Sequence, residues 1–144
     1  MPYIKIWVHC VWTTYKRLLL LSDNIRPEVI SHIKENARSK GIYIFTVNGY
    51  RDHLHAIISL GGKQNISDVM HGIKGESSFW INRNKLTRTK FRWQSDFYAV
   101  SVESDHLKNL LKYISNQEEH HKAQSTEEEI NWLIEKYKLV LVKD

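Results

Sequence analysis

Apolar and polar residues alternate from Tyr3 to Thr14, which puts Ile4, Ile6, Val8, Cys10 and Trp12 on one face and predicts a half-buried strand. Residues 15–23 read as a loop despite the apolar run Leu18–Leu21. From Asn24 or Arg26 to Lys40 the period lengthens to that of a helix, with Val29, Ile30, Ile33 and Ala37 as its stripe. Pro27 falls in the first turn, where its missing N–H costs nothing, and Gly41 stands just past the end. Ile42–Val47 is strand-like, Asn48-Gly49 is a turn signal, and a further strand runs from Tyr50 or His53 to Leu60 before Gly61-Gly62. A second helix covers about Ile66 to Asn82, with Ser67 as N-cap and Val69, Met70, Ile73, Phe79 and Trp80 as apolar positions. Gly72 and Gly75 weaken it by about 1 kcal/mol each. Trp93–Val102 predicts a fourth strand, and Ser104 or Asp105 opens a third helix reaching about His121. Ser125 and Glu128 form a capping box for a last helix ending near Lys136, and the closing KLVLV fits a helix end or a short strand.

The order β-α-β-β-α-β followed by helices predicts an α+β, ferredoxin-like (RRM-like) fold. It implies a four-stranded antiparallel sheet with both crossover helices on one face. No repeat, low-complexity stretch or linker divides the chain, so residues 1–144 are expected to form one domain. No apolar run is long enough for a membrane helix, and the first residues lack a signal-peptide pattern. The single Cys10 suits a reducing compartment, so a cytoplasmic protein is expected. The net charge of +5 favours a polyanionic partner only mildly; its distribution says more. Arg83, Lys85, Arg88, Lys90 and Arg92 fall within ten residues that contain no acid, a candidate phosphate-binding segment. Trp80 and Trp93 flank it as base-stacking surfaces or as core.

The residues that carry chemistry lie elsewhere. In His53-Leu54-His55 the strand period sends both imidazoles to one face, about 7 Å apart, while Leu54, Ala56, Ile58 and Leu60 face the core. Two neutral imidazoles aimed at one point suit a divalent cation. This face is not covered by the crossover helices, so replacing His53 is expected to cost little stability. On the third helix Leu107, Leu110, Leu111 and Ile114 form the buried stripe, and Asn109, Tyr113 and Gln117 a neighbouring one. Tyr113 and Gln117 stand one turn apart, a phenol nucleophile beside an amide oxygen able to bind metal.

Together these segments acquire a family likeness. His53-Leu54-His55 resembles the HUH motif, and YISNQ (Tyr113–Gln117) resembles the Tyr-x-x-x-Gln motif of single-tyrosine TnpA-type transposases. HCVWTTYKR (His9–Arg17) is similar to that family's first-strand signature, and WQSDFYAVSV (Trp93–Val102) to its fourth strand. The resemblance, which extends to the REP-associated tyrosine transposases, covers nearly the whole chain in the right order. It implies an enzyme that cuts and rejoins single-stranded DNA at hairpin-bearing element ends. Tyr113 would be the nucleophile, leaving a 5′-phosphotyrosine bond and a free 3′-OH. His53, His55 and Gln117 would hold one divalent ion, Mg²⁺ or Mn²⁺. Hairpin DNA would be the partner, with the basic segment 83–92 as part of its surface, and a homodimer is implied whose tyrosine helices reach the partner's histidines.

Two histidines and an amide make a neutral ligand set, so weak affinity for Mg²⁺ is expected until the DNA phosphate completes the site. His120 and His121 read as a solvated helix end, with ligation as the alternative. Other readings are a non-mobile relative that processes repeated palindromes, and a replication or plasmid-relaxing nuclease, whose second tyrosine or third histidine has no matching position here. A non-catalytic RRM-like RNA-binding module would need aromatics on an open sheet face. Tyr43, Phe45 and Trp7 could supply them, whereas the third strand offers His53 and His55.

Overall fold

The computed structural model describes residues 1–142. Four strands, β1 (Trp7–Thr13), β2 (Tyr43–Tyr50), β3 (His53–Ser59) and β4 (Tyr98–Val102), form one antiparallel sheet in the order β2-β3-β1-β4. The helices are α1 (Arg26–Ser39), α2 (Ile66–Arg83), α3 (Leu107–Ser115), α4 (Gln117–Ala123) and α5 (Thr126–Tyr137). The ferredoxin-like expectation therefore holds, with α3 to α5 appended.

The two central strands decide where everything else sits. Val8, Cys10 and Trp12 of β1 stand opposite Ile58, Ala56 and Leu54 of β3, so these six share one face. That face packs with Leu21, Val29, Ile33, Val69, Met70, Ile73 and Ile81 into the main core beneath α1 and α2. Burying an aliphatic side chain contributes about 1.5–3 kcal/mol. Val69, Met70, Ile73 and Ile81 therefore outweigh the roughly 2 kcal/mol that Gly72 and Gly75 cost α2 together. Burial also pushes the Cys10 thiol up to about 12, so it behaves as a small apolar residue.

The opposite face carries Trp7, His9, Val11 and Thr13 of β1 with His53, His55 and Ile57 of β3. It is not open. Ile114 of α3 meets Trp7 and Ile57 there, with Leu107, Leu110 and Leu111 half-buried around them. The Asn48 amide donates to the Ile114 carbonyl (3.0 Å), tying α3 to β2. The buried Arg26 guanidinium donates to Glu118 of α4 (3.0 Å) and to the Leu21 carbonyl (3.0 Å). Thr126, at the head of α5, donates to the Asp52 carboxylate (2.7 Å). The expected Ser125–Glu128 capping box is present.

Several boundaries differ from expectation, each for a local reason. β1 starts at Trp7: Tyr3, Ile4 and Ile6 are exposed, and of the three only the Ile6 carbonyl is tied to the sheet's neighbourhood, accepting from the Leu60 N–H (2.8 Å). Asn65, not Ser67, caps α2, accepting from the Asp68 N–H (2.8 Å). Phe79 is exposed on that helix. Trp93 makes only an isolated bridge with Thr14, and β4 proper begins at Tyr98. The third helix breaks at Asn116, so Gln117 opens α4. KLVLV forms neither helix nor strand where it is described.

The most informative difference is Asn48-Gly49. These residues do not turn; they continue β2 to Tyr50, and the chain reverses at Arg51-Asp52. Gly49 is required by close approach, since a Cβ there would overlap the His53 carbonyl and lie 2.8 Å from Leu54 Cα. Gly49→Ala is expected to force the β2–β3 pair apart and to destabilise by about 1–3 kcal/mol in urea denaturation.

Candidate active site

The site is assembled on the β1–β3 face from four parts of the chain. β3 supplies His53 and His55, both fully buried, and the turn before it supplies Asp52. The break at Asn116 lets Gln117 turn fully inward while Tyr113 stays on α3, so the two converge without sharing one continuous helix. α4 adds His121, and α5 adds Glu129.

Glu129 is the centre. Its Oε1 lies 3.0 Å from His53 Nε2, 3.1 Å from His55 Nε2 and 3.3 Å from His121 Nε2. Its Oε2 accepts from the Tyr113 hydroxyl and from Gln117 Nε2 (3.2 Å). Gln117 Oε1 in turn accepts from His53 Nε2 (2.9 Å). Behind this layer Asp52 accepts from His53 Nδ1 (2.9 Å), and His9 Nε2 lies 2.9 Å from His55 Nδ1. Every polar atom at the centre thus has a partner, as burial demands.

The electrostatics follow from these contacts. Burial alone would push the His53 imidazole down, but its hydrogen bonds to Asp52 and Glu129 outweigh that and raise it to about 9. Burial and the neighbouring His55 hold His9 down at about 3, so it is neutral and donates to His55. Burial likewise lowers His55. Burial would raise the Glu129 carboxyl, yet the donors His121, His53 and His55 keep it well below the usual carboxylate range. Burial and the hydrogen bond to Glu129 push the Tyr113 phenol above its ordinary value. The resting site is thus a buried carboxylate facing an imidazolium, with a protonated phenol clamped beside it.

This corrects three expectations. His53 and His55 lie in a second core rather than off it, so replacing either costs stability. The donor set is not neutral, because Glu129 brings a carboxylate to the two imidazoles. His121 is not a solvated helix end: its side chain is buried against Glu129 and stacks on Tyr50 at 5.0 Å, while His120 packs on Tyr113 at 4.5 Å. Glu129 had a readable signal, since it breaks the apolar spacing of Thr126, Ile130 and Leu133, all buried on α5.

The His53, His55 and Glu129 ligand atoms lie within 4.8 Å of one another, a group that could hold a metal ion. Two imidazoles and a carboxylate, extended by the Gln117 amide oxygen, suit a divalent cation. The hydrogen bond from His53 Nδ1 to Asp52 supplies the outer support that metal-binding histidines usually have.

A family model described as "Transposase IS200 like" matches residues 3–117. The chain belongs to the IS200-like transposase family. No curated protein matches this transposase. Among solved structures it is similar to a candidate transposase from Deinococcus radiodurans R1, with a TM-score of 0.66 and 18% identity over 81% of this chain and 93% of that one. It is also similar to a REP-associated tyrosine transposase bound to a REP hairpin, with a TM-score of 0.61 and 21% identity over 84% of this chain and 72% of that one. The likeness to these two is one of fold. The family match ends at Gln117, so His121 and Glu129 lie beyond it.

The basic segment of the transposase sits apart from this centre. Arg83, Lys85, Arg88, Lys90 and Arg92 are all exposed, and Arg92 lies over the Tyr15 ring at 4.3 Å. Trp93 is core, T-shaped against Trp12 at 6.0 Å and donating to Ser77 (2.9 Å). Trp80 stacks on His32 at 4.0 Å and is half-buried. Neither tryptophan is a free platform, so the segment offers charge rather than stacking. The RRM-like reading needs an open sheet face; here the His53–His55 part of it is covered by α3, α4 and α5, while Tyr43 and Phe45 stay exposed beside Trp7.

Removing the central carboxylate leaves His53 with Asp52 as its remaining carboxylate partner and takes from His55, His121, Gln117 and Tyr113 the acceptor they share. Glu129→Ala is therefore expected to lower stability by about 3–5 kcal/mol, measured by urea denaturation at neutral pH.

Proposed function

We propose that this transposase cuts and rejoins single-stranded DNA at hairpin-bearing ends through a covalent bond between Tyr113 and a 5′-phosphate. The observation that carries the reading is the convergence of one phenol hydroxyl, two strand imidazoles, an amide and a carboxylate inside a single chain. Tyr113 is the nucleophile: its oxygen bonds to the scissile phosphorus and the 3′-oxygen of the preceding nucleotide leaves. Glu129, already hydrogen-bonded to that hydroxyl, accepts its proton as the phenol turns toward the phosphate. The reverse attack by a 3′-OH releases Tyr113 and rejoins the strand, and the proton returns.

His53, His55, Gln117 and Glu129 would hold the divalent ion, Mg²⁺ or Mn²⁺. Bound there, it supplies Lewis-acid polarisation of the phosphodiester and charge neutralisation. His9, Asp52 and Thr126 orient the ligands, with Asp52 fixing the His53 ring and His9 the His55 ring. Because a proton on His53 Nε2 excludes a ligand bond, His53 would have to give up that proton to hold the ion.

The exposed cations at 83, 85, 88, 90 and 92 make the phosphate-binding surface for hairpin DNA, the kind of ligand present in the REP-associated neighbour. A homodimer also belongs to this reading. It need not exchange tyrosine helices, because Tyr113 meets its own chain's Glu129 and His55. A non-mobile enzyme acting on dispersed palindromes would use the same residues.

The first test incubates the protein with hairpin-forming single strands from the DNA flanking its coding sequence, with Mn²⁺, and looks for a covalent adduct on a denaturing gel. An adduct is expected that EDTA prevents and Tyr113→Phe abolishes while hairpin binding persists; an adduct surviving in Tyr113→Phe refutes the nucleophile. A second measurement follows hairpin affinity against salt. Replacing the five basic residues with alanine is expected to reduce the salt slope by about 0.9 for each phosphate no longer neutralised. An unchanged slope would place the DNA elsewhere.

A further inference from the structure

A cavity of about 570 Å³ opens directly beside Tyr113, between the end of β4, α3 and α5. His9 and Ser101 line its strand side, Asn109 and Tyr113 its α3 side, and Trp132 and Lys136 its α5 side. Its size falls within the range of small-molecule sites. Its chemistry is that of a nucleotide site rather than of a packing defect. Trp132 does not belong to the buried stripe of α5, which is Thr126, Glu129, Ile130 and Leu133, and it remains 42% exposed. Its ring nevertheless lies near-parallel to the Tyr113 ring, 6.2 Å between centres and 28° apart. The Lys136 ammonium stands 4.6 Å over the same indole and 5.4 Å over Tyr137. An exposed indole, a cation beside it and amide and hydroxyl groups at the rim are what stacking a base and holding its phosphate require.

We propose that this cavity holds the base of a nucleotide flanking the phosphate that Tyr113 attacks, stacked on Trp132 with Lys136 on a neighbouring phosphate. The assignment rests on the reading of Tyr113 as nucleophile, because it takes the cut strand as the occupant. Asn109 and Ser101 supply the polar groups that can meet a base edge. The whole α5 wall lies beyond the family match at residue 117, so this subsite uses residues that the shared part of the chain does not contain.

The test uses the full chain carrying Tyr113→Phe, so that bound DNA stays intact, and the hairpin oligonucleotide whose cleavage position the wild-type adduct has mapped. Single abasic sites are placed in turn at each unpaired nucleotide, and affinity is read by fluorescence anisotropy. One position flanking the cleavage point is expected to lose about tenfold, consistent with loss of one stacked base. Adding Trp132→Ala is expected to lose a similar factor, with no further loss at that abasic position, whereas Trp132→Phe keeps the base-dependent binding. A flat abasic scan, or an abasic penalty that persists undiminished in a folded Trp132→Ala protein, overturns the proposal. The abasic scan requires no change to α5, so a flat scan refutes the proposal whatever the fate of Trp132→Ala, and Trp132→Leu takes its place in the comparison if Trp132→Ala fails to fold. Failure of the nucleophile reading is distinct: it appears as no Tyr113 adduct with intact DNA.

Discussion

One carboxylate holds this candidate site together. Glu129 sits fully buried among His53, His55, His121, Gln117 and Tyr113, and each of these side chains directs a polar atom at it. A buried charge on that scale is tolerated only with opposite charge and donors on every side, and the raised His53 provides the charge. The appended helices follow from this constraint. α5 must dock to deliver Glu129, α4 must fold back to deliver Gln117 and His121, and α3 must break at Asn116 for α4 to turn.

The sheet solves the complementary problem of presenting two imidazoles on one side without disturbing the main core. Strand alternation sends Leu54, Ala56 and Ile58 into the core beneath α1 and α2, and His53, His55 and Ile57 away from it. Because β1 pairs with β3 in register, His9 comes diagonally beside His55 and buttresses it. The geometry of the candidate site and core packing therefore share one pair of strands, and changes in one are felt in the other.

The strands, both crossover helices and the capping box of α5 are legible in the chain because each rests on short-range periodicity. His53 and His55 are legible because the strand period puts both on one face, whereas the helical period that pairs Tyr113 with Gln117 is interrupted at Asn116 and the two meet through that break. Glu129 leaves only the trace of a carboxylate on the buried stripe of α5 and His9 leaves none, since their roles depend on contacts with β3 across 74 and 46 residues. Asn48-Gly49 misleads for a related reason. A glycine demanded by a neighbouring backbone looks, in isolation, like a glycine demanded by a turn.

The hydrogen bond from Thr126 to Asp52 links the first turn of α5 to the turn that opens β3, 74 positions earlier. Loop-closure entropy rises only slowly with such a separation, so the length of chain between the two residues is little obstacle to the contact. The placement of α5 therefore depends on the turn between β2 and β3, which the pairing of those strands sets. Tyr113 meets its carboxylate only where α5 closes over the sheet, so the hold on the phenol belongs to the last helix and not to the strands.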